Sequence, residues 1–369
     1  MSEQPNRALN SLPNSLPVHA IVVEYKSKEF TLQLLKDLLS EDPASITIVD
    51  NANNESDVDS VSEFEIADLI TENINCEFTS RHMSDGALLP IRLLRSKLNL
   101  GFGAGVNSAV ISDVNFPENT VAFQIRLDDK HAFVVPKESR DLPESKNEIQ
   151  NCFKERYILV SNSDIRIRPG SLKRLTTLMD SHKEMSVVGP KLMNDDDTVY
   201  PSARRFPSFA TAAGYAVFSV FRKNNRFSKK YKSFDSSNVI DENESLYSVD
   251  WVSGAFFLIS SDTFQRLGGF DEGYFLYMED VDLCYRVHAI GKKVGYATDC
   301  QVTHVGSVTI SNIIKKVYYH HKSALRFERK TAKGLRKLML PLAFILLALR
   351  GVMTVALAQT KSLAKKPKI

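Results

Sequence analysis

The sequence predicts an α/β fold in which buried strands alternate with helices. Three observations carry this. Residues 18–23 (VHAIVV) and 45–50 (SITIVD) are short, mostly apolar, β-branched runs, the pattern of strands buried on both faces. Between them Phe30, Leu34, Leu35, Leu38 and Leu39 recur at helical spacing, so the first fifty residues read β-α-β. A third run, residues 157–160 (YILV), ends, like the second, in polar and acidic residues. Ligands of open α/β sheets bind at such carboxyl ends of strands.

In chain order, residues 1–17 are polar and contain Pro5, Pro13 and Pro17; without a signal-peptide pattern they read as a flexible arm. The second strand closes on Asp50 and Asn51. Residues 64–94 alternate weak helical and strand signals and read as an insertion. Residues 98–107 (LNLGFGAGVN) form a glycine-rich turn into a helix expected over 106–113. Gly101, Gly103 and Gly105 there admit two readings, close approach of a ligand or tight helix-strand packing, and the spacing is not that of the dinucleotide fingerprint. A polar, charge-mixed insertion at 115–155 is expected to hold a hairpin of 120–127 with 131–135. The strand at 157–160 delivers Ser161, Asn162, Ser163 and Asp164. A helix over 171–180 follows Pro169-Gly170, residues 187–190 return to the sheet, and Asp195 to Asp197 sit in a solvated hairpin turn. The strand 293–297 precedes His304.

The composition, 369 residues with 43% hydrophobic and 25% charged, excludes wholesale disorder, collagen, coiled coil and a polytopic membrane protein. Cys76, Cys152, Cys284 and Cys300 form no C-x-x-C pair, which points to buried thiols in a reducing compartment rather than a disulfide framework or zinc ribbon. The net charge of +3 hides an asymmetry: residues 313–369 carry 14 Lys+Arg and one acid, while the preceding chain is net acidic. Inside this basic tail, residues 338–358 (LMLPLAFILLALRGVMTVALA) have one charge, Arg350, and basic flanks. That favours a lipid surface over nucleic acid. The length suits a bilayer span, but Arg350 near its middle and Pro341 in its first turn favour a helix lying in the membrane interface; packing on the protein's own core is the other alternative.

The densest chemical constellation is residues 249–286, where Asp271, Glu272, Glu279, Asp280 and Asp282 are interleaved with Phe270, Tyr274, Phe275 and Tyr277. Acids among aromatics are expensive to bury unless a metal, a cation or catalytic duty compensates. A solvated helix N-terminus is the plainer alternative. The strand-end Asn162-Ser163-Asp164 is too poor a site to hold a divalent cation alone. It suits Mg²⁺ or Mn²⁺ held chiefly by a ligand's diphosphate, and His304 could complete that shell. A second carboxylate at the same sheet edge could act as general base toward a hydroxyl.

These stretches together resemble glycosyltransferase family 2, in particular its bacterial rhamnosyltransferase-like branch. The matching segments are IVDNANN (48–54), NLGFGAGVN (99–107), ILVSNSDIRIRPGSL (158–172), VVGPKLMNDDDTVYPSARRFPS (187–208), DWVSGAFFLI (250–259), GGFDEGYFLYMEDVDLCYR (268–286) and THVGSVT (303–309), in the family's order. The resemblance implies a GT-A fold: a Rossmann-like nucleotide-sugar domain with a mixed central sheet, here over 18–312, followed by a basic and hydrophobic helical segment over 313–369. It also implies metal-assisted, inverting transfer. Carried over by position, Asp50 resembles the acid that hydrogen-bonds the base, and Asn99, Gly101, Gly103 and Asn107 belong to the loop beside the nucleotide. Asn162 and Asp164 stand in the D-x-D-type motif with Asp164 as metal ligand, and His304 approaches the metal-diphosphate. Asp280 resembles the general base, with Glu279 orienting it, and Trp251 an acceptor-side platform. Where the family usually reads Thr-Tyr-Asn after the first strand, this chain has Glu24-Tyr25-Lys26.

Arg204 is expected either to clamp phosphate bidentately or to form a surface salt bridge, and Lys322 to reach a diphosphate. The expected function is transfer of a sugar, L-rhamnose from dTDP-rhamnose, to a lipid-linked or polysaccharide acceptor at the cytoplasmic face of the plasma membrane. Partners are therefore a nucleotide-sugar donor, a lipid-linked saccharide and a membrane surface, with no nucleic acid. The alternatives are a UDP-hexose donor or a non-catalytic membrane-associated assembly partner. A nucleotidyltransferase is disfavoured, because Glu24-Tyr25-Lys26 offers no glycine-rich basic signature after the first strand.

Overall fold

The computed structural model describes residues 15–51, 61–62, 65–67, 88–96, 99–111, 120–127, 132–137, 155–207, 239–241, 243, 245–306 and 312–364. Most of the N-terminal arm, much of both insertions, Cys76, Cys152 and the last basic residues lie outside them. The chain begins β1 (Leu16–Glu24), α1 (Lys28–Glu41) and β2 (Pro43–Asp50), the expected β-α-β unit. β1 and β2 are buried along nearly their whole length because both faces of the sheet are covered, which is why their sequences are continuously apolar rather than alternating.

The elements that follow are β3 (Leu88–Ser96), α2 (Phe102–Ile111), β4 (Thr120–Leu127) and β5 (Ala132–Lys137), then β6 (Tyr157–Asn162), β7 (Ile165–Ile167), α3 (Ser171–Ser181) and β8 (Met185–Asn194). β9 (Ala203–Arg204), β10 (Val239–Asp241), β11 (Leu246–Val249), β12 (Trp251–Val252) and β13 (Phe256–Ser260) come next. The chain closes with α4 (Ser261–Arg266), α5 (Glu279–Ala289), β14 (Lys293–His304), α6 (Ile313–Thr331), α7 (Leu335–Leu338) and α8 (Leu340–Ala364). The expected hairpin is formed: β4 and β5 pair antiparallel and extend the sheet at one side. The helix after the glycine turn starts at Phe102 rather than 106, since Gly103 and Gly105 lie within it where they pack against neighbours.

Among the described residues the main sheet runs β10-β11-β14-β8-β13-β6-β1-β2-β3-β4-β5, with β7 added against β14. β6, β1, β2 and β3 are mutually parallel, and β14 is parallel to β8. β13 is antiparallel to both β6 and β8, so it reverses once within an otherwise parallel centre. This is the mixed α/β sheet expected. Its consequence is positional: the carboxyl ends of β1, β2, β6, β8 and β14 share one edge with the amino end of β13. Two apolar layers sandwich the sheet. One holds Leu34, Leu35 and Leu38 of α1 with Leu172, Leu175 and Leu178 of α3. The other holds Val106 of α2, Val281 and Leu283 of α5, and Phe264, Phe270 and Tyr274.

Candidate active site

The shared edge is where the acids gather. β6 ends at Asn162, and two residues later Asp164 faces His304, the last residue of β14, with His304 Nε2 at 3.3 Å from Asp164 Oδ1. The two backbones are tied as well, Val305 donating its N–H to the Asp164 carbonyl at 2.9 Å. The neighbouring Ser163 hydroxyl meets that of Ser27 at 2.6 Å and fastens the turn to the start of α1. Among the described residues no group of three or more His, Cys, Asp or Glu side chains is arranged to hold a metal. One carboxylate and one imidazole nevertheless fit Mg²⁺ or Mn²⁺ whose remaining ligands come from a diphosphate and water.

Asp280 reaches the same edge from the other side. It is the second residue of α5, and its Oδ2 accepts the N–H of Gly254 at 2.8 Å while its Oδ1 accepts that of Val281 at 2.8 Å. Gly254 lies just before β13, and a Cβ there would stand 3.2 Å from the Asp280 Cβ, so a glycine lets the acid sit against the strand-end backbone. Asn162 N in turn donates to the Ala255 carbonyl at 2.9 Å. A continuous hydrogen-bonded path of neighbouring residues therefore joins the Asp280 carboxylate to the strand end that carries Asp164.

The approach to Asp280 is strained. Tyr277 and Met278 both adopt left-handed backbone, with φ of 66° and 70°. Non-glycine residues are rarely held there, and such strain clusters at functional sites. Glu279, next in sequence, is 7% exposed and its Oε2 has no hydrogen-bond partner. Burial, reinforced by the charge of Asp280, pushes Glu279 up to about 8, so it is predominantly protonated at neutral pH. Burial also raises Asp280, against the opposing pull of the Gly254 N–H.

The other acids of this segment are spoken for. Asp271 is paired with Arg326 and Lys330 of α6, which outweigh its burial and hold it well below the usual carboxylate range. Asp282 pairs with Arg286 at 2.7 Å and also meets Lys330. These pairs clamp α6 onto α5. Of the acid-aromatic constellation, only Glu279 and Asp280 are left facing the site.

Several of the expected site residues are engaged within the protein, and for the glycines the packing reading holds. Asn107 is not presented to a nucleotide: its Oδ1 accepts from Phe270 N and its Nδ2 donates to the Phe270 carbonyl and Glu272, pinning the loop that leads to the acids. Gly101 and Gly103 serve packing. At Gly101, with φ of 84°, a Cβ would fall 2.3 Å from the Phe275 carbonyl, and at Gly103 2.9 Å from the Phe270 side chain. Asn99 Oδ1 accepts the Gly101 N–H at 3.0 Å, and Asn51 grips the same turn through Leu100 N and the Gly101 carbonyl. Trp251 is 5% exposed, its indole N–H is donated to the Arg205 carbonyl, and the Arg204 guanidinium lies 5.1 Å from its ring centre. The face expected to meet a sugar meets a cation instead. Lys322 is exposed, with its ammonium 5.9 Å from the centre of the exposed Tyr318 ring.

Arg204 lies beside Trp251 and Tyr200. The antiparallel pairing of β9 with β12 sets it opposite Trp251, its Nε donates to the Pro201 carbonyl at 2.6 Å, and it also lies 5.9 Å from the Tyr200 ring centre. Its charge bears on Asp280, where it favours the carboxylate. Tyr200 packs edge-on against His304 with centroids 5.4 Å apart. Tyr200 therefore stands between the Asp164–His304 pair and Arg204.

At the far end of the edge, Asp50 lies where expected, at the end of β2, but it is 1% exposed and paired with Arg95 at 3.1 Å. In register beside it is Glu24, fully buried, accepting from Ser27 N at 2.9 Å. Burial, with the neighbouring Asp50 charge adding to it, pushes Glu24 up to about 8. Sequence reasoning missed Glu24, Gly254 and the Tyr277-Met278 turn. The glutamate closing an apolar strand was the one available signal. Left-handed backbone at a tyrosine and a methionine leaves none.

No protein-family model matches the chain. In sequence it is 28% identical over 238 residues to the N-acetylglucosaminyl-diphospho-decaprenol L-rhamnosyltransferase of Mycobacterium tuberculosis, a match covering 64% of this chain and 66% of that protein. The match thus spans just under two thirds of the relative's length. Over 88 residues, 23% of this chain and 33% of the relative, it is 38% identical to the rhamnosyltransferase WbbL of Escherichia coli K12. Among solved structures it superposes on GalNAc-T7 with UDP, GalNAc and Mn²⁺ (TM-score 0.45, 11% identity, 89% of this chain and 54% of that one). It also superposes on the mannosyltransferase PcManGT from Pyrobaculum calidifontis in complex with GDP-Man and Mn²⁺ (TM-score 0.45, 12% identity, 99% and 85%). In sequence, then, the chain is similar to two proteins named rhamnosyltransferases.

Proposed function

We propose that this protein is an inverting, metal-dependent glycosyltransferase with a GT-A fold that moves L-rhamnose from dTDP-rhamnose to a lipid-linked saccharide, at the cytoplasmic face of the plasma membrane. The observation that carries the reading is the delivery of Asp164 and Asp280 to one sheet edge by unrelated segments, joined through Gly254, Ala255 and Asn162. Donor sugar and acceptor are carried from the name of the mycobacterial relative.

In this reading Asp164 and His304 would hold Mg²⁺ or Mn²⁺, which would offset charge on the departing diphosphate. The nucleotide occupies the edge formed by the ends of β1 and β2 and the turn at Gly101. Asp280, kept ionised in part by Arg204 and the Gly254 N–H, takes the proton from the acceptor hydroxyl as that oxygen attacks the anomeric carbon. Glu279, protonated beside it, leaves the charge of the pair on Asp280.

The apolar helix α8 supports membrane association. Arg336–Ala356 has a mean hydropathy of 2.1, and the described side chains of Phe344, Ile345, Leu349 and Val352 are each more than half exposed. Pro341 is tolerated because it falls in the first turn of the helix, where its missing N–H has no partner to lose.

The test is a transfer assay with dTDP-rhamnose, UDP-glucose and GDP-mannose, each with Mn²⁺, and an N-acetylglucosaminyl-diphospho-lipid acceptor. Rhamnosylated product from dTDP-rhamnose alone is expected. Transfer from a UDP-hexose in its place would move the donor assignment, and no transfer or nucleotide binding with any donor would overturn the reading.

A further inference from the structure

The turn that delivers Glu279 and Asp280 has no side-chain cap of its own. α5 begins after Met278, whose side chain makes no capping hydrogen bond, and Tyr277 and Met278 are both held in left-handed backbone. Such a conformation persists only where its surroundings over-determine it. Here the surroundings are one face of α6. Tyr319 stacks on Phe275 with ring centres 4.7 Å apart. The Ser323 hydroxyl, on a residue only 4% exposed, donates to the Leu276 carbonyl at 2.8 Å. Arg326 lies 5.3 Å from the Tyr274 ring centre and pairs with Asp271 at 2.7 Å. Positions 319, 323 and 326 fall on one stripe of the helix, so a single element grips Phe275, Leu276 and Tyr274.

The Ser323 bond is the contact nearest the strained pair, since the accepting carbonyl belongs to the residue directly before Tyr277. A hydroxyl inside a helix commonly returns to the carbonyl four residues back, as Thr331 of α6 does to Phe327 at 2.8 Å. Ser323 instead gives its proton to a carbonyl 47 residues away in sequence. That bond fixes the peptide plane from which the chain enters left-handed backbone, and the helix that follows brings Asp280 to the Gly254 N–H. We propose that Ser323 is a positioning residue for Asp280, its hydroxyl and the Tyr319 ring holding the 275–278 turn so that the carboxylate faces the acceptor hydroxyl. The inference rests on the proposed transferase reading, in which Asp280 is the base. Since a small displacement of a catalytic group costs much of its rate, the grip of α6 on this turn bears on the chemical step.

The experiment compares full-length wild type with Ser323→Ala, Ser323→Thr and Tyr319→Leu by two readouts. In the transfer assay, Ser323→Ala and Tyr319→Leu should lower kcat by about 10–100-fold and leave the donor KM within about twofold. The acid limb of their pH–rate profiles should move up by about one pH unit, because an Asp280 carboxylate drawn away from the Gly254 N–H is protonated more readily. Ser323→Thr keeps the hydroxyl and should recover most of the rate. Amide hydrogen exchange needs no turnover: the Gly254 N–H should exchange about tenfold faster in Ser323→Ala and Tyr319→Leu, with the amides of β1 and β6 unchanged. Variants with wild-type kcat and wild-type exchange at Gly254 would overturn the positioning role. So would a rate loss with an unmoved pH profile and faster exchange throughout the sheet, which is general destabilisation. The transferase reading fails by a different result, a wild-type protein that transfers no sugar from any donor, and exchange at Gly254 then still decides what Ser323 holds. Should Ser323→Ala fail to fold, Tyr319→Leu, at a half-buried side chain, decides alone.

Discussion

The carboxylate of Asp280 accepts the backbone N–H of Gly254 at 2.8 Å. The bond joins the first turn of α5 to the residue that leads into β13. It places an acid beside the parallel strand end carrying Asp164, although the two acids are separated by more than a hundred residues. It also favours the ionised form of Asp280, while Glu279 is left with an unpartnered oxygen.

Asp280→Asn should lower transfer by about 10²–10⁴-fold, the contribution of a general base, while dTDP still raises the melting temperature. The amide oxygen can still accept from Gly254, so the loss would report chemistry rather than folding. Wild-type turnover in this variant would remove Asp280 from the mechanism.

Glu279→Gln is expected to behave differently. Since the native side chain is mostly protonated below about 8, the amide should keep transfer at pH 7 within about tenfold of wild type, well short of the general-base loss. Transfer itself should fall on the acid side as Asp280 is protonated. A pH–rate profile of both variants distinguishes the two acids.

Glu24 should make stability fall as pH rises. A carboxyl whose folded-state pKa lies above its unfolded one favours folding while it is protonated. For Glu24 this stabilisation is complete below about 4.5 and lost as pH rises to about 8. Glu24→Gln should therefore melt higher than wild type at pH 8, by an amount on the order of a few kcal/mol, with little or no gain at pH 4.5. Thermal melts at the two pH values check the sign.

Gly101→Ala should destabilise the protein by about 1–3 kcal/mol, because the residue is held at positive φ and the added Cβ collides with the Phe275 carbonyl. That carbonyl precedes the Tyr277-Met278 turn, so the transfer rate should fall along with the melting temperature. Equilibrium denaturation and a transfer assay on the same preparation would measure both.

Leu349→Glu combined with Val352→Glu should abolish co-sedimentation with phosphatidylcholine vesicles and leave the melting temperature unchanged, since both side chains are more than half exposed. A lowered melting temperature would instead mean that this face of α8 packs on protein.

Much of the sheet was legible because burial on both faces leaves a one-dimensional trace. The runs at 18–23, 45–50 and 157–160 could be read as strands from apolar continuity, with Asp50 and Asp164 at their carboxyl ends, whereas the strand expected to end at 297 runs on to His304. The glycine turn was legible as a turn, with tight packing as one of its two readings, but its partners were not, since they lie far along the chain: Phe275 for Gly101 and Phe270 for Gly103.

What the sequence determined by itself was the inventory: which segments bury themselves, where acids fall at strand ends, and an apolar helix with basic flanks. Only the tertiary structure decided how those charges were divided. Asp271 and Asp282 went to α6 cations, Asp50 to Arg95, Asn107 to a loop backbone, and Arg204 to the Trp251 face beside Asp280. The physical reason is that a charge's role depends on its neighbours and burial in three dimensions. Those neighbours come from strands and helices whose adjacency is set by packing and register rather than by spacing along the chain.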